Sequence, residues 1–111
     1  DLEVQKTITV SAKKLTLSVW DNERVDGDRI SLSLNDKWIL RNHEITKERH
    51  TLNLELIENQ LNQLIFFAEN LGDIPPNTTA INISYEGYNK THIMRSNMEK
   101  SATINFYLEE E

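Results

Sequence analysis

A chain of 111 residues has the length of one domain and can bury a core without covalent staples. It contains no cysteine, which excludes disulfides, thiolate metal sites and a cysteine nucleophile. With 18 acidic against 12 basic residues and a formal charge of −6, it has no basic footprint for nucleic acid or an anionic membrane surface.

No apolar run approaches the ~20 residues of a membrane span. The stretch Asp1-Leu2-Glu3-Val4 lacks the form of a signal peptide, and a start without Met fits a cut or a mature chain. In chain order, Val4, Ile8 and Val10 suggest a leading strand before the turn Ser11-Ala12-Lys13-Lys14. Leu15, Leu17 and Val19 then alternate with Thr16 and Ser18, the period-two pattern that lines one face of a sheet. An acidic loop follows Trp20, and Asp26-Gly27 leads into Ile30, Leu32 and Leu34, which alternate with Ser31 and Ser33. Asn35-Asp36 suits a two-residue turn at positive φ. After it comes a short strand over 37–41, whose Lys and Arg suit an open sheet edge.

Leu52, Leu54 and Leu56 mark another strand. Residues 58–71 fit two patterns. Leu54, Ile57, Leu61, Leu64, Ile65 and Ala68 share a helical face with Gly72 as its cap, whereas Leu64-Ile65-Phe66-Phe67 is an apolar run suited to a buried strand. A strand is the expectation. Pro75-Pro76 stiffens the next connection. Ile81 and Ile83 lead to Tyr85, Glu86-Gly87 turns the chain into a strand over 88–94, and Ile104 and Phe106 lead to Leu108. About nine short strands predict an all-β fold, an antiparallel β-sandwich spanning 1–111, with jelly-roll and immunoglobulin-like orders both open.

Candidate chemistry is sparse. His43, His50 and His92 lie in no nucleophile-elbow or paired-ligand motif, and three glycines build no phosphate-cradling loop. No enzyme is expected. The loop from Asp21 to Asp28 packs Asp21, Glu23, Asp26 and Asp28 around Asn22, the oxygen-rich composition that calcium prefers. Arg24 and the missing twelfth-position glutamate set it apart from an EF-hand. Side chains that hydrogen-bond the local backbone explain the same composition without a metal. Glu69 and Asn70 reach this loop if their strands are neighbours. They then complete a metal set of Asp21, Asp26, Asp28 and Glu69, or simply lock the loop, which is the default.

Among aromatics, Tyr88 beside the Glu86-Gly87 turn is the one expected at the surface, and Tyr88 and Asn70 are the candidate ligand-binding residues. Trp20 and Trp38 border apolar strand positions, and at least one is expected in the core. Sequons at Asn77, Asn82 and Asn89 are triplets common by chance.

Two stretches carry a resemblance. One is Val19-Trp20-Asp21-Asn22, then Val25-Asp26-Gly27-Asp28, Ile30-Ser31-Leu32 and Leu34-Asn35; the other is Phe67-Ala68-Glu69-Asn70-Leu71-Gly72 with Ile74-Pro75-Pro76-Asn77-Thr78. Over 8–106 the chain resembles an uncharacterised β-sandwich module of bacterial cell-envelope and secreted proteins. Ser96-Asn97-Met98-Glu99-Lys100-Ser101 fits the same pattern, while Glu23-Arg24 and Glu109-Glu110-Glu111 depart from it. The resemblance implies an all-β fold, loop plus strand over 58–71, and an extracytoplasmic setting, but no activity. The resulting expectation is a non-catalytic binding or interaction module for a protein or glycan of the cell envelope, without nucleic acid or membrane insertion. A calcium-dependent carbohydrate-binding module and a structural spacer or assembly domain are the alternatives.

Overall fold

Alternating apolar residues bury one strand face only if a second layer covers it. The computed structural model of the protein, which describes residues 2–21, 27–70, 77–96 and 100–109, has two such layers. Its strands are β1 (Leu2–Val10), β2 (Lys14–Trp20), β3 (Arg29–Leu34), β4 (Lys37–Glu44), β5 (His50–Glu55), β6 (Asn62–Ala68), β7 (Asn77–Tyr85), β8 (Tyr88–Ser96) and β9 (Ser101–Leu108). Among the described residues there is no helix. A five-stranded sheet in the order β1-β9-β6-β3-β4 and a four-stranded sheet in the order β5-β2-β7-β8 form a sandwich-like arrangement.

The inward row of each strand meets in one core. Ile30, Leu32 and Leu34 of β3, Leu64 and Phe66 of β6, and Ile104 and Phe106 of β9 come from the larger sheet. Leu15, Leu17 and Val19 of β2, with Ile81 and Ile83 of β7, come from the smaller one. The stretch with two readings turns at 58–60 and runs on as β6, pairing with β3 and β9. Its apolar run is therefore a central strand, as expected.

One pair departs from the antiparallel expectation: β1 lies parallel to β9. The pairings send β2 and β3 in opposite senses along the sandwich, and β1 and β9 both finish at the end where β2 starts. Alternation records which face a residue takes, not the direction of its strand, so the sequence held no sign of this.

Local chemistry sets the turns. Asn35 and Asp36 have φ of +50° and +67°, the pair of positive values that a type I′ hairpin needs. Gly87 has φ of +81°, a conformation strained for any residue with a Cβ, and it closes the tight link between Tyr85 and Tyr88. On β4, two register shifts against β3 introduce bulges, and Asn42 sits in one at φ of +48°. Fully buried Ser31 fills that gap, its Oγ accepting the Asn42 N–H at 2.9 Å.

At the end of the core near these turns, fully buried Asn62 replaces missing ladder bonds. Its Oδ1 accepts the Ile57 N–H at 2.8 Å and the Asn35 side-chain amide at 2.7 Å. Its Nδ2 donates to the carbonyls of Ile57 at 2.9 Å and Gln60 at 3.2 Å. Truncating it strands several buried polar groups at once. Asn62→Ala is expected to lower unfolding free energy by about 2–3 kcal/mol, read as a shifted urea midpoint. An unchanged midpoint would mean that these groups find other partners.

Candidate functional site

The sequence-derived candidates separate when placed on this frame. Asp21 follows β2 and Asp28 precedes β3, both buried. Their backbones hold the link between β4 and β5: the Asp21 N–H donates to Thr46 O at 2.8 Å, and the Ile45 N–H donates to Asp28 O at 2.9 Å. Asp26 lies outside the described residues. Because β3 and β6 are neighbours, Asn70 reaches the loop base. Its Oδ1 accepts the Arg29 N–H at 2.8 Å and its Nδ2 donates to Gly27 O at 3.2 Å. Asn70 thus ties the end of β6 to the residues that lead into β3.

Glu69 turns elsewhere. Its carboxylate accepts the hydroxyl of Ser31, while its N–H donates to Arg29 O at 2.9 Å. It belongs to a polar network over the bulged edge, in which Arg29 Nε donates to Asn42 Oδ1 at 2.8 Å and Arg29 Nη1 lies 3.4 Å from Glu44. Among the described residues, no group of three or more His, Asp or Glu side chains could hold a metal ion.

Tyr88 and Asn70 lie at opposite ends of the sandwich: Asn70 follows the end of β6, and Tyr88 opens β8 beside the tight turn. They do not form one site. Tyr88 stacks on Tyr85 with centroids 4.9 Å apart and planes 3° from parallel, and both rings are half-buried against the core. Burial, and then Tyr85, push the Tyr88 hydroxyl above its ordinary range.

Among the described residues two aromatics are half open to solvent, Trp38 on β4 and Tyr107 on β9, each at 50%. Neither tryptophan joins the core, contrary to expectation, and strand parity is the reason. Leu15, Leu17 and Val19 point inward, so Trp20 points outward, where the Arg49 guanidinium lies 3.9 Å from its ring centroid. Trp38 pairs with Ser33, which faces away from the core between Leu32 and Leu34. The two-residue turn at Asn35-Asp36 dictates that pairing, so this signal was present in the sequence and was missed.

Around Trp38 the outer face of the larger sheet is apolar and cationic. Phe67 packs against the indole with centroids 5.2 Å apart at 59°, and the Arg41 guanidinium sits 4.3 Å from its centroid. The residues paired across the sheet are Trp38, Ser33, Ile65, Thr103 and Val4, with Ile65 buried and Val4 exposed.

On the far side of β4, a groove of about 510 Å³ opens between the two sheets. Its lining includes Leu34, Ile39, Leu54 and Ile57, with Lys13, Lys37 and Glu58 among its charged residues. The His43 and His50 rings meet between β4 and β5 with centroids 4.5 Å apart and planes tilted by 35°. No family model, curated protein or solved structure matches this chain.

Burial, then His50 and Arg29, hold His43 below its usual range, with Glu44 opposing them. Burial, then Lys6 and Lys90, act likewise on His92. Below the ordinary histidine value of 6.5 the unfolded chain therefore takes up protons before the folded one. The stabilising contribution is complete above that value and is lost as pH falls through it toward the depressed folded-state values. Urea midpoints are expected to fall with acidification over this window. The slope should flatten in a His43→Gln, His92→Gln double variant, whereas an unchanged slope would exclude these two groups as its source.

Proposed function

We propose that this chain is a non-catalytic interaction module of a bacterial envelope or secreted protein, gripping a protein partner with the outer face of its five-stranded sheet. One observation carries the reading: Trp38, half exposed on edge strand β4, is held between Phe67 and Arg41. Trp and Arg beside another aromatic are the side chains that dominate protein-interface energetics. Packing fixes this cluster before binding, so little side-chain entropy is lost on contact.

The same geometry favours a protein over a sugar. Arg41 lies over one face of the Trp38 indole and Phe67 packs against the ring at 59°, which leaves less of it for stacking on a pyranose. Tyr88, the other candidate platform, has a ring face taken by Tyr85. Arg41 is exposed and lies over the indole, which suits a partner with an apolar centre and an acidic group at its rim. The extracytoplasmic setting rests on the sequence resemblance of the two Trp20 and Glu69 stretches.

The test is affinity capture from envelope extract of the source organism with matched variants, each checked for folding by circular dichroism. A protein held by the wild type should be lost with Trp38→Ala and with Arg41→Glu, and retained with Lys90→Ala on the opposite sheet. Trp38→Ala is expected to cost about 2 kcal/mol of binding free energy once the partner is purified. Retention of every partner by both β4 variants, or glycan binding that ignores Trp38, would overturn the reading.

A further inference from the structure

A two-sheet fold has exposed edges, and each is open to pairing with another chain unless something blocks it. Three of the edge strands here are blocked. β1 carries a register shift between Val4 and Lys6. Its Gln5 amide accepts the Arg95 N–H of β8 at 3.2 Å and donates to the Arg95 carbonyl at 2.5 Å, so this side chain occupies both backbone groups of Arg95 on the β8 edge. β4 is bulged twice, and the Asn42 carbonyl in one bulge is taken by the Arg29 guanidinium.

β5 has none of these devices. It pairs with β2 in six consecutive positions without a shift, and its sequence, HTLNLE, contains no Pro, Lys or Arg. Its inward row is His50, Leu52 and Leu54, of which Leu52 is only partly buried; its outward row is Thr51, Asn53 and Glu55. Arg49, one residue before the strand, joins the outward side, because it lies over Trp20 on the outer face of β2.

The occupant follows from charge. A two-fold axis perpendicular to the sheet pairs residues of like parity, so inward rows meet inward rows. With the axis at Leu52, Leu52 meets its own copy, His50 meets Leu54, Thr51 meets Asn53, and Arg49 meets Glu55. Each copy contributes one Arg and one Glu, so the pairing is closed by an ion pair at both ends. Moving the axis to Asn53 sets Glu55 against Thr51 and leaves Arg49 without an acid. The segment Arg49-His-Thr-Leu-Asn-Leu-Glu55 is thus complementary to itself in one antiparallel register.

We propose that the β5 edge is a self-association site, through which two copies join their four-stranded sheets into one continuous sheet. It lies on the sheet opposite Trp38 and does not draw on the surface proposed for a partner. Joining the edges covers the exposed side of Leu52, extends the core along the seam between β4 and β5, and satisfies the outward backbone groups of β5.

Sedimentation of the wild-type chain from micromolar to millimolar concentration tests this directly. The expected result is a mass that doubles with concentration. Arg49→Glu sets two acids against each other at both ends, and Glu55→Arg sets two bases, so each should raise the dimer dissociation constant roughly tenfold or more. Mixing the two variants should restore association as a heterodimer, and the R49E/E55R double variant should restore the homodimer. That rescue separates lost pairing from a damaged fold. A wild-type monomer throughout the range, or single variants that associate as the wild type does, would overturn the proposal.

Discussion

Leu32 and Leu34 point into the core from β3, and the geometry of a strand then sends Ser31 and Ser33 to the opposite face. This parity, repeated along nine strands and enforced by burial of the inward rows between two sheets, governs where every other group can act. It aligns Trp38 with Ser33, Ile65, Thr103 and Val4 across the larger sheet. It also brings Arg49 and Glu55 to one side of β5. A slip of one residue in any strand would exchange core and surface, so the core's demand for apolar side chains holds the surface features in register.

The ends and edges of the sandwich show how polar groups are spent on shape. Asn62, Asn70 and Ser31 each use a side chain to complete a backbone bond that the ladders leave open. Asn62 binds the link between β5 and β6 to the β3–β4 turn, Asn70 binds the return of the acidic loop, and Ser31 fills a bulge. Glu69 and Arg29 stabilise the same bulged edge from either side. In this fold these polar side chains serve as joints between strands.

Much of this was legible beforehand. The strands showed in the alternation, the turns in Asn35-Asp36 and Glu86-Gly87, and the reach of Asn70 toward the acidic loop's end in the condition that β3 and β6 be neighbours. The parallel β1–β9 pair was not legible, because a period of two is the same read in either direction. The tryptophans differ for another reason: bordering apolar strand positions suggests the core, but their parity relative to Val19 and Ser33 places them outside. The bond from Ser31 to Glu69 was not legible, because proximity to a loop does not reveal which face a side chain takes. Bulges hide similarly, since the extra residues in β4 leave no compositional mark.

The exposed position of Trp38 is the point on which the recognition surface stands. The chain has two tryptophans, so Trp20→Phe leaves Trp38 as the sole indole. Its emission spectrum, read with acrylamide quenching, reports that environment directly. The expected result is red-shifted emission that acrylamide quenches readily, as for a ring half open to water. Blue-shifted emission protected from the quencher would put Trp38 inside the protein, contradicting the register of β4 and removing the proposed binding surface with it.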